Sequence, residues 1–411
     1  TNSQVEGKAQ NPFENCKFEL VKIKEICEIG RGRVISHKFI EANKGEYPVY
    51  SSQTKDEGIM GYINTFDFEG DYVTWTTDGI YAGTCFYRKG KFNCTNVCGT
   101  LKIKDSNVIL YYYLSLVLNL ATPNYVVKVA NPKLMNNVMA EIKIPLPPLE
   151  IQKQIVAECE KVEEQYNTIR MSIEKYQELI KAILVKCGIV DSSQSSRDFI
   201  TSLLDSIQEL ESKLDFDNNN TLDFKTLLDS LPTPPTQGYP QYRLNDKNKF
   251  SLQIGKRVLD SELNPQGQIP VFSANVKKPF GFIDKELLKD YEKDSVLWGI
   301  DGDWMVGFIP KNTPFYPTDH CGVLQVRDKS IKAKIVSFLL DEAGKKAGFS
   351  RNLRASIERI GSVKIPLPPI EEQEKIISAI ERIESKMHLL DSSLPSLESK
   401  KSEILQHFLQ A

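Results

Sequence analysis

Residue types that commonly perform catalysis are few in this 411-residue sequence, and their spacing matches no catalytic motif. Only four histidines occur. The sequence contains no GxxxxGK(S/T) phosphate loop, no GxSxG nucleophile motif, no dinucleotide fingerprint and no HExxH metal motif. An adenine methylase needs two consecutive prolines after Asn or Asp, and none of the three Asn-Pro pairs continues in that way. The sequence therefore predicts a chain without catalytic residues and without a cofactor.

Eight cysteines are scattered along the chain, and none of them forms a CxxC pair. Cys94 and Cys98 lie four residues apart with Cys85 nearby, but no His or Cys pair follows at the spacing of a zinc site. We therefore expect reduced thiols, no metal site and a cytoplasmic location. The longest apolar run, residues 108–118, is too short to cross a bilayer and predicts a buried helix.

Charge is distributed unevenly, although the formal net charge of the chain is only −2. Residues 1–145 carry +2 and residues 236–369 carry +6, whereas residues 146–235 carry −7 and residues 370–411 carry −3. The positive charge is thus concentrated in two blocks, each followed by a negative segment. This distribution is compatible with binding to a polyanion, despite the nearly neutral total.

One twelve-residue motif occurs twice. Residues 144–155 read IPLPPLEIQKQI and residues 365–376 read IPLPPIEEQEKI, so eight of twelve positions are identical at a separation of 221 residues. Further matches precede each motif in the same order: residues 47–53 match 269–275, 71–79 match 294–302, 95–99 match 318–322, and the Ile-Gly pair at 29–30 matches 254–255. The chain therefore consists of two copies of one unit.

The sequence pattern of each copy predicts a compact α+β domain followed by a long helix. Alternation of period two with Gly and Asp-Gly indicates strands, and the apolar stretches 106–120 and 331–341 indicate helices. After each IPLPP, apolar residues recur at helical spacing over 149–187 and 370–409, with a break expected at Pro395. We expect the two long helices to pair as an antiparallel coiled coil. The alternative is that each helix folds back on its own domain.

The sequence predicts five segments, which are a domain (1–145), a helix (146–188), a linker with short helices (189–238), a second domain (239–366) and a second helix (367–411). The linker has no counterpart after the second copy. Its residues 215–220 resemble the start of a calcium loop, but Asn220 replaces the required Gly and Thr226 the required Glu, which favours a polar turn. Trp75 and Trp298 occupy equivalent apolar positions and are predicted to be core residues.

Two α+β domains that alternate with two nearly identical helices resemble the specificity subunit of Type I restriction–modification systems. The motif pair IPLPPLEIQKQI and IPLPPIEEQEKI carries this resemblance, supported by YPVYSSQ with IPVFSAN, and nearly the whole chain is covered. The resemblance implies two target-recognition domains, each reading one half of a split, asymmetric sequence in double-stranded DNA. It implies that the helices separate the domains and dock two methyltransferase subunits, with restriction and translocase subunits as further partners. It also implies that the chain is not itself catalytic.

Basic and polar residues in equivalent loops are then the candidate DNA contacts, with Lys and Arg suited to phosphates and small polar side chains to base edges. In the first domain they are Arg31, Arg33, Lys38, Ser51, Ser52, Gln53, Thr54, Thr76, Thr77, Asp78, Arg88, Lys89 and Lys91. In the second domain they are Lys256, Arg257, Ser273, Asn275, Lys277, Lys278, Asp301, Asp303, Trp304, Arg351 and Arg354.

The two copies of the motif provide the candidate partner-docking residues, which are Pro147, Pro148, Glu150, Gln152, Pro368, Pro369, Glu371 and Gln373. The sequence departs from the family pattern in its long acidic linker and in residues 11–23, which resemble the junction of a fused methylase and specificity region. Two alternatives therefore stay open. One is the recognition region of a single-chain restriction–methylation enzyme, and the other is a coiled-coil scaffold for protein interactions.

Overall fold

The computed structural model of the protein describes residues 12–13, 15–127, 130–190, 197–214, 224–285, 292–392 and 396–410. The chain forms two compact units. Unit 1 comprises Thr1–Asn167 and Leu394–Ala411, and unit 2 comprises Thr168–Ser393. This division by packing differs from the five predicted segments, because the last helix belongs to the unit of the first domain.

The α+β domain of unit 1 contains β1 (Leu20–Lys22), α1 (Ile23–Ile26), β2 (Cys27–Arg31), α2 (His37–Ala42), β3 (Lys44–Tyr50), β4 (Ile59–Ile63), β5 (Phe68–Thr76), β6 (Cys85–Cys94), β7 (Cys98–Ile103), α3 (Tyr111–Ala121), α4 (Asn136–Glu141) and β8 (Lys143–Pro145). Six strands form one sheet in the order β2-β7-β5-β6-β3-β4. Neighbouring strands are antiparallel except β3 and β6, which are parallel. Helix α3 is largely buried, as its apolar run predicts.

The sheet of unit 1 curls, so that strands far apart in the order meet at Gly32. The backbone N–H of Gly32 donates to Cys98 O and that of Arg33 to Cys94 O, both at 3.1 Å. A Cβ atom on Gly32 would lie 2.1 Å from the Cys94 carbonyl oxygen, so this approach requires glycine. Tyr50 O accepts from Thr95 N at 2.8 Å in the same region. The C-terminal ends of β2, β3 and β6 therefore lie together.

Unit 2 contains α6 (Arg197–Ser212), α7 (Phe224–Asp229), β9 (Gln241–Arg243), β10 (Phe250–Ile254), β11 (Ile269–Phe272), β12 (Gly281–Ile283), β13 (Ser295–Gly299), β14 (Val306–Ile309), β15 (Tyr316–Pro317), β16 (Cys321–Val326), α8 (Ala333–Ala347), α9 (Ile357–Ser362) and β17 (Lys364–Pro366). The strand orders are β10-β16-β13-β14 and β12-β11-β15. Strands β14 and β15 together take the place of the single long strand β6 of unit 1.

The two domains share the packing around one tryptophan each, as predicted. Trp75 and Trp298 are fully buried, and their Nε1 atoms donate to Leu134 O at 3.0 Å and to Ala355 O at 2.9 Å. A glycine on the neighbouring strand lies against each ring; a Cβ would come within 2.3 Å of Trp75 and 2.1 Å of Trp298. Because both domains make these equivalent bonds, the repeat in the sequence is also a repeat in the structure.

The structure corrects one part of the sequence alignment. The backbone N–H groups of Gly255 and Lys256 donate across the curled sheet at 3.2 and 3.1 Å, in the same way as those of Gly32 and Arg33. The predicted match of Gly30 to Gly255 was therefore wrong. One residue, Arg31, separates the first Ile-Gly pair from the glycine that the close approach requires, and the sequence alone does not reveal which glycine is equivalent.

The long helix α5 spans Leu149–Lys186, and the second long helix consists of α10 (Ile370–Ser392) and α11 (Leu397–Leu409). The bounds of α5 confirm the predicted helix, which Gly188 follows in a left-handed conformation with φ of 68°. A break was predicted near Pro395; α10 ends at Ser392 and α11 begins at Leu397, where Ser396 Oγ accepts from Ser399 N at 3.2 Å. Pro395 itself lies outside the described residues, as does the calcium-like segment 215–220.

Within unit 2, the second half of α5 runs antiparallel to α10. Near one end, Tyr176 Oη donates to Glu211 of α6 at 2.8 Å, and Lys386 of α10 lies 3.3 Å from the same carboxylate. At the other end, burial and then the charge of Glu372, two residues into α10, raise the pKa of Cys187 to about 12. The residue numbers rise along α5 while they fall along α10, which is the direction expected for the predicted antiparallel pair, and the coiled coil itself stays a prediction.

The predicted linker forms a third helix against this pair. One face of α6 is buried through Ile200, Leu203, Ile207 and Leu210. Glu211 accepts from Tyr176 and pairs with Lys386, so it joins both long helices. The linker is therefore a packed part of unit 2 over residues 197–214.

Within unit 1, α11 completes the core of the first domain. Leu405 and Leu409 are buried in the same apolar cluster as Phe13 and Leu116. Lys17 N donates to Leu409 O at 3.0 Å, and Lys401 pairs with Glu163 in the first half of α5. The first domain therefore depends on residues near the far end of the sequence.

Candidate nucleic-acid interface

Polar side chains of unit 1 converge where β3, β5 and β6 end. Thr95 Oγ1 donates to Ser51 Oγ at 3.0 Å, and Ser52 Oγ donates to Val97 O. Ser52 Oγ also accepts from Asp78 N at 3.4 Å, which joins the segment after β3 to the segment after β5. We call residues 31–33, 51–54, 76–78, 95–97 and 133 the first strand-end cluster.

Two cations face one carboxylate in the first strand-end cluster. Asp78 lies 3.4 Å from Arg31 Nη2 and 3.3 Å from Lys133 Nζ, and it accepts from Thr77 Oγ1 at 2.6 Å. Arg31 Nη2 also donates to Thr77 Oγ1 at 2.8 Å, which fixes the guanidinium. These three charges carry a net charge of +1 and remain accessible to solvent, so they offer both donors and acceptors to a ligand.

Unit 2 has an equivalent cluster with different side chains. Thr318 Oγ1 donates to Ser273 Oγ at 3.1 Å, as Thr95 does to Ser51. Asp301 accepts from Arg354 Nη2 at 3.1 Å and lies 2.5 Å from His320 Nδ1. We call residues 255–257, 273–278, 301–303, 318–320, 351 and 354 the second strand-end cluster.

The charges of the second cluster stabilise an ionised carboxylate. Partial burial opposes ionisation of Asp301, but the hydrogen bond from His320 and the charge of Arg354 outweigh it and lower the pKa of the carboxyl. Arg351 Nε lies 3.3 Å from Asp303 on the exposed rim. Asn275 Oδ1 accepts from Lys277 N and Lys278 N at 3.0 and 3.2 Å, which fixes the turn that presents both lysines.

Comparison with known proteins identifies the family to which these clusters belong. The profile of the type I restriction modification DNA specificity domain matches residues 15–179 and 240–398. The chain belongs to this family. Each matched region contains one of the two strand-end clusters. The two copies in the sequence are therefore two copies of the specificity domain.

Two curated relatives from Mycoplasma pneumoniae are 49% identical to this chain over 142 residues. One is named as a type I specificity subunit, S.MpnORF201P, and the match covers 34% of this chain and 59% of that protein. The other is the type I restriction enzyme MpnII specificity subunit, with 34% and 42% covered. The chain spans about half the length of the curated relatives it matches.

One solved structure aligns along the whole chain at low identity. It is the crystal structure of the type I restriction-modification system S subunit from M. genitalium, with 14% identity, a TM-score of 0.49, and 98% of this chain and 99% of that chain covered.

In this specificity-domain protein, the predicted cations fall into two groups. Arg33 pairs with Asp67 at 2.7 Å, and Lys91 lies 3.8 Å from Glu69 and 4.5 Å from the ring centre of Phe66. Within the part of the chain that the structure describes, no ion pair is formed by Lys38, Lys89, Lys256, Arg257, Lys277 or Lys278, all of which are exposed. The second group is free to contact an anion without first breaking an internal pair.

Arg88 was predicted as a DNA contact, and its burial contradicts that role. Its guanidinium carbon lies 3.7 Å from the ring centre of Tyr50 and 4.4 Å from that of Phe86. It donates to Thr74 Oγ1 at 3.2 Å and to Glu57 O. Burial lowers the pKa of Arg88, and the neighbouring groups only partly offset this. The side chain supports the segment after β3 from inside the domain.

Several other predicted contacts are turned inward. Thr76 and Thr77 are buried, and Thr76 Oγ1 donates to Tyr81 O. Gln53 is half-buried and its Nε2 donates to Ile59 O, and the neighbouring Thr54 is also half-buried. Trp304 Nε1 donates to Asp341 O at 2.9 Å, and its ring packs on Phe349. Thr76, Thr77 and Trp304 therefore shape the strand ends rather than contact a ligand.

Some of the predicted partner-docking residues are buried and others are exposed. Gln152 is buried; its Oε1 accepts from Leu110 N at 2.9 Å, and its Nε2 donates to Val108 O at 2.9 Å and to Pro147 O at 2.8 Å. Gln373 makes the equivalent bonds to Lys332, Ser330 and Pro368 in unit 2. Each glutamine fastens the start of its long helix to a helix of its own domain.

Burial therefore contradicts a docking role for Gln152, Gln373, Pro147 and Pro368. Pro148, Glu150, Pro369 and Glu371 are exposed at the starts of α5 and α10, so they remain accessible to a partner.

Sequence reasoning missed Lys133 and did not assign His320. Lys133 lies 55 residues from Asp78 in the sequence, and His320 lies 19 residues from Asp301. A signal for Lys133 exists, because it precedes Leu134, the carbonyl of which accepts from Trp75, just as Arg354 precedes Ala355. His320 has no histidine counterpart in the first copy, so the repeat gives no signal for it.

Neither a metal-binding cluster nor a membrane-spanning helix is present among the described residues. No group of three or more His, Cys, Asp or Glu in them is placed to hold a metal ion. No helix among them is long and apolar enough to cross a membrane.

Proposed function

We propose that this chain is the DNA-reading component of a type I restriction–modification assembly. It binds duplex DNA through the two strand-end clusters, and each cluster reads one half of a bipartite, asymmetric sequence. One observation carries the proposal: the two clusters occupy equivalent places on equivalent frames, yet their exposed polar groups differ. Arg31 and Lys133 face Asp78 in the first cluster, whereas Arg354 and His320 face Asp301 in the second.

The chemistry of the exposed side chains supports a division of labour. Lys38, Lys256, Arg257, Lys277 and Lys278 are exposed cations without an ion pair in the described residues, as phosphate contacts require. The groups around Asp78 and Asp301 are held by hydrogen bonds and offer donors and acceptors in fixed directions, as contacts to base edges require. Affinity for DNA thus comes from the exposed cations, and selectivity among sequences comes from the groups around Asp78 and Asp301.

The assembly includes two copies of a methyltransferase subunit, which dock at the equivalent starts of α5 and α10. Pro148 with Glu150 and Pro369 with Glu371 are the exposed equivalent residues that support two docking points. Catalysis belongs to these partners and to the restriction subunits, and the chain itself is not catalytic. The assembly works in the cytoplasm, where the DNA that it reads lies.

Selection from random duplex DNA tests the proposal. The pure 411-residue chain is incubated with a random duplex library at a fixed salt concentration, and bound duplexes are sequenced. Two unlike sequence blocks with a constant spacer should be enriched. Lys133→Ala should change one block and Arg354→Ala the other, because these residues belong to different clusters.

A matched variant provides the control. Lys161→Ala removes an exposed lysine that pairs with Glu158 on α5, outside both clusters, and should leave both blocks unchanged. Absence of any enriched block would refute DNA-sequence recognition by this chain. If Lys133→Ala and Arg354→Ala both changed the same block, independent reading by the two domains would be wrong.

A further inference from the structure

The turn between β5 and β6 exposes two large apolar side chains beside the first strand-end cluster. Ile80 is 81% exposed and Tyr81 is 50% exposed. Both follow directly after Asp78 and Gly79 at the end of β5. Contiguous exposed apolar surface that is rimmed by polar groups often marks a binding site.

Hydrogen bonds hold this turn in one conformation. The carbonyl oxygen of Tyr81 accepts from Thr76 Oγ1, from Thr84 N at 3.1 Å and from Thr84 Oγ1 at 2.9 Å. Gly79 and Gly83 have φ angles of 93° and 92°, which residues other than glycine rarely adopt. A Cβ on Gly83 would lie 3.1 Å from Thr122. The turn is therefore preorganised, and its two apolar side chains are presented rather than folded back.

The turn is continuous with the cluster that faces DNA in the proposed function. Gly79 N donates to Pro132 O at 3.0 Å, immediately before Lys133, and Lys133 pairs with Asp78 immediately before the turn. A duplex bound by Arg31 and Lys133 would therefore meet Ile80 and Tyr81 as well. Because the turn adjoins the first strand-end cluster, we expect Ile80 and Tyr81 to contact the same ligand as that cluster.

The equivalent turn of unit 2 has no exposed apolar pair. Ile300 is buried, and Trp304 packs inward on Phe349. Asp303 at its tip pairs with Arg351. The scaffold therefore does not require an apolar tip, and burial does not explain why unit 1 has one.

We propose that Ile80 and Tyr81 contact thymine methyl groups in the half-site read by the first domain. This inference rests on the proposed function. The thymine methyl is the apolar group that base edges offer in the major groove, and an apolar side chain gains nothing from a phosphate. The pair therefore contributes selectivity for thymine at one half-site and contributes little to the salt-dependent part of binding.

The test combines a change in the protein with a change in the DNA. The full chain and the Ile80→Ser, Tyr81→Ser double variant are titrated with the duplex selected by the unmodified chain, and with the same duplex carrying deoxyuridine in place of thymine. Deoxyuridine lacks only the methyl group. The unmodified chain should lose roughly 10- to 100-fold in affinity when the methyls of one half-site are removed, the size of a typical base-pair mismatch.

The double variant should show the same loss on the thymine duplex and no further loss on the deoxyuridine duplex. Its affinity for a scrambled duplex and its salt dependence should remain those of the unmodified chain. Leu389→Ser, which replaces a 51% exposed leucine on α10, is the matched control and should change none of these values. Ile80→Val should retain the preference for thymine.

The outcomes separate the inference from the function on which it rests. If the unmodified chain selects a sequence and the double variant prefers thymine over deoxyuridine to the same extent, the apolar contact is wrong and the proposed function stands. A first half-site without any thymine would have the same consequence. If the unmodified chain selects no sequence at all, the proposed function fails and the inference fails with it.

Discussion

Replacing Leu409 by alanine should destabilise the first domain, although more than 250 residues separate them in the sequence. Leu409 is only 2% exposed and packs in the core of unit 1 with Phe13 and Leu405. Its carbonyl oxygen accepts from Lys17 N at 3.0 Å, so its backbone is also fixed to this domain. The substitution removes three carbon atoms from a buried position.

The expected cost follows from the burial of that side chain. Three buried carbon groups at about 0.8 kcal/mol each give about 2.4 kcal/mol, and the cavity left behind adds to this. We expect a loss of about 3 kcal/mol in the unfolding free energy of unit 1. This corresponds to roughly a 150-fold increase in the population of the opened unit.

Hydrogen exchange of the full chain, followed by mass spectrometry, measures this loss separately for each unit. Peptides from β5, β7 and α3 should exchange roughly 150-fold faster under conditions in which exchange reports the opening equilibrium. Peptides from β13 and β16 should retain their protection. Leu389→Ala, at an exposed position on α10, is the control and should leave both sets unchanged.

Unchanged protection of β5, β7 and α3 in a folded Leu409→Ala chain would refute the assignment of α11 to the core of the first domain. Equal loss of protection in both units would indicate that the units open together and would refute their independent unfolding. Unchanged protection would favour the simpler division in which each domain ends before its long helix.

Three further predictions concern single side chains. Gln152→Met should lower the unfolding free energy of unit 1 by about 2–4 kcal/mol in urea titrations, because it leaves two carbonyl groups and one N–H unpaired in a buried place. Gly99→Ala should abolish native near-ultraviolet circular dichroism of Trp75, because its methyl would overlap the ring. Asp328 has its pKa lowered to about 2, first by the hydrogen bond from Lys249. Its contribution to stability is therefore present above about pH 4 and lost as the pH falls towards 2, so Asp328→Asn should lower stability at pH 7 and not at pH 2.

Much of this fold follows from local patterns in the sequence. Helix α5 was predicted to within one residue, because two prolines precede it, a glycine follows it and neither residue type interrupts it. The burial of Trp75 and Trp298 followed from their apolar neighbours. These features depend on residues close in sequence, or on the repeat, which compares each position with a known counterpart.

The parts that sequence reasoning missed depend on contacts between distant residues. The docking of α11 on the first domain joins Leu409 to Phe13, and no local pattern distinguishes that apolar stripe from one that pairs with a helix. Arg88 is buried against the rings of Tyr50 and Phe86, which lie close to its guanidinium, whereas its sequence neighbours are those of an exposed strand. A polar residue type indicates chemistry, but only the packing shows whether its side chain reaches the solvent.

In both domains, the buried residues that stabilise the fold differ from the residues that present polar groups at the surface. We call the buried hydrogen-bonded part of each domain its frame. The frame is held by contacts that end on backbone atoms, such as Trp75 to Leu134 O and Gln152 to Pro147 O, and unit 2 repeats each of them. The exposed groups around Asp78 and Asp301 make no such contact with the core. Substitutions at the strand ends are therefore expected to alter the groups that the surface offers to a ligand at little cost in stability, because they leave the buried bonds intact. For the same reason, one scaffold repeated in a single chain can present two unlike surfaces, as the proposed reading of an asymmetric target requires.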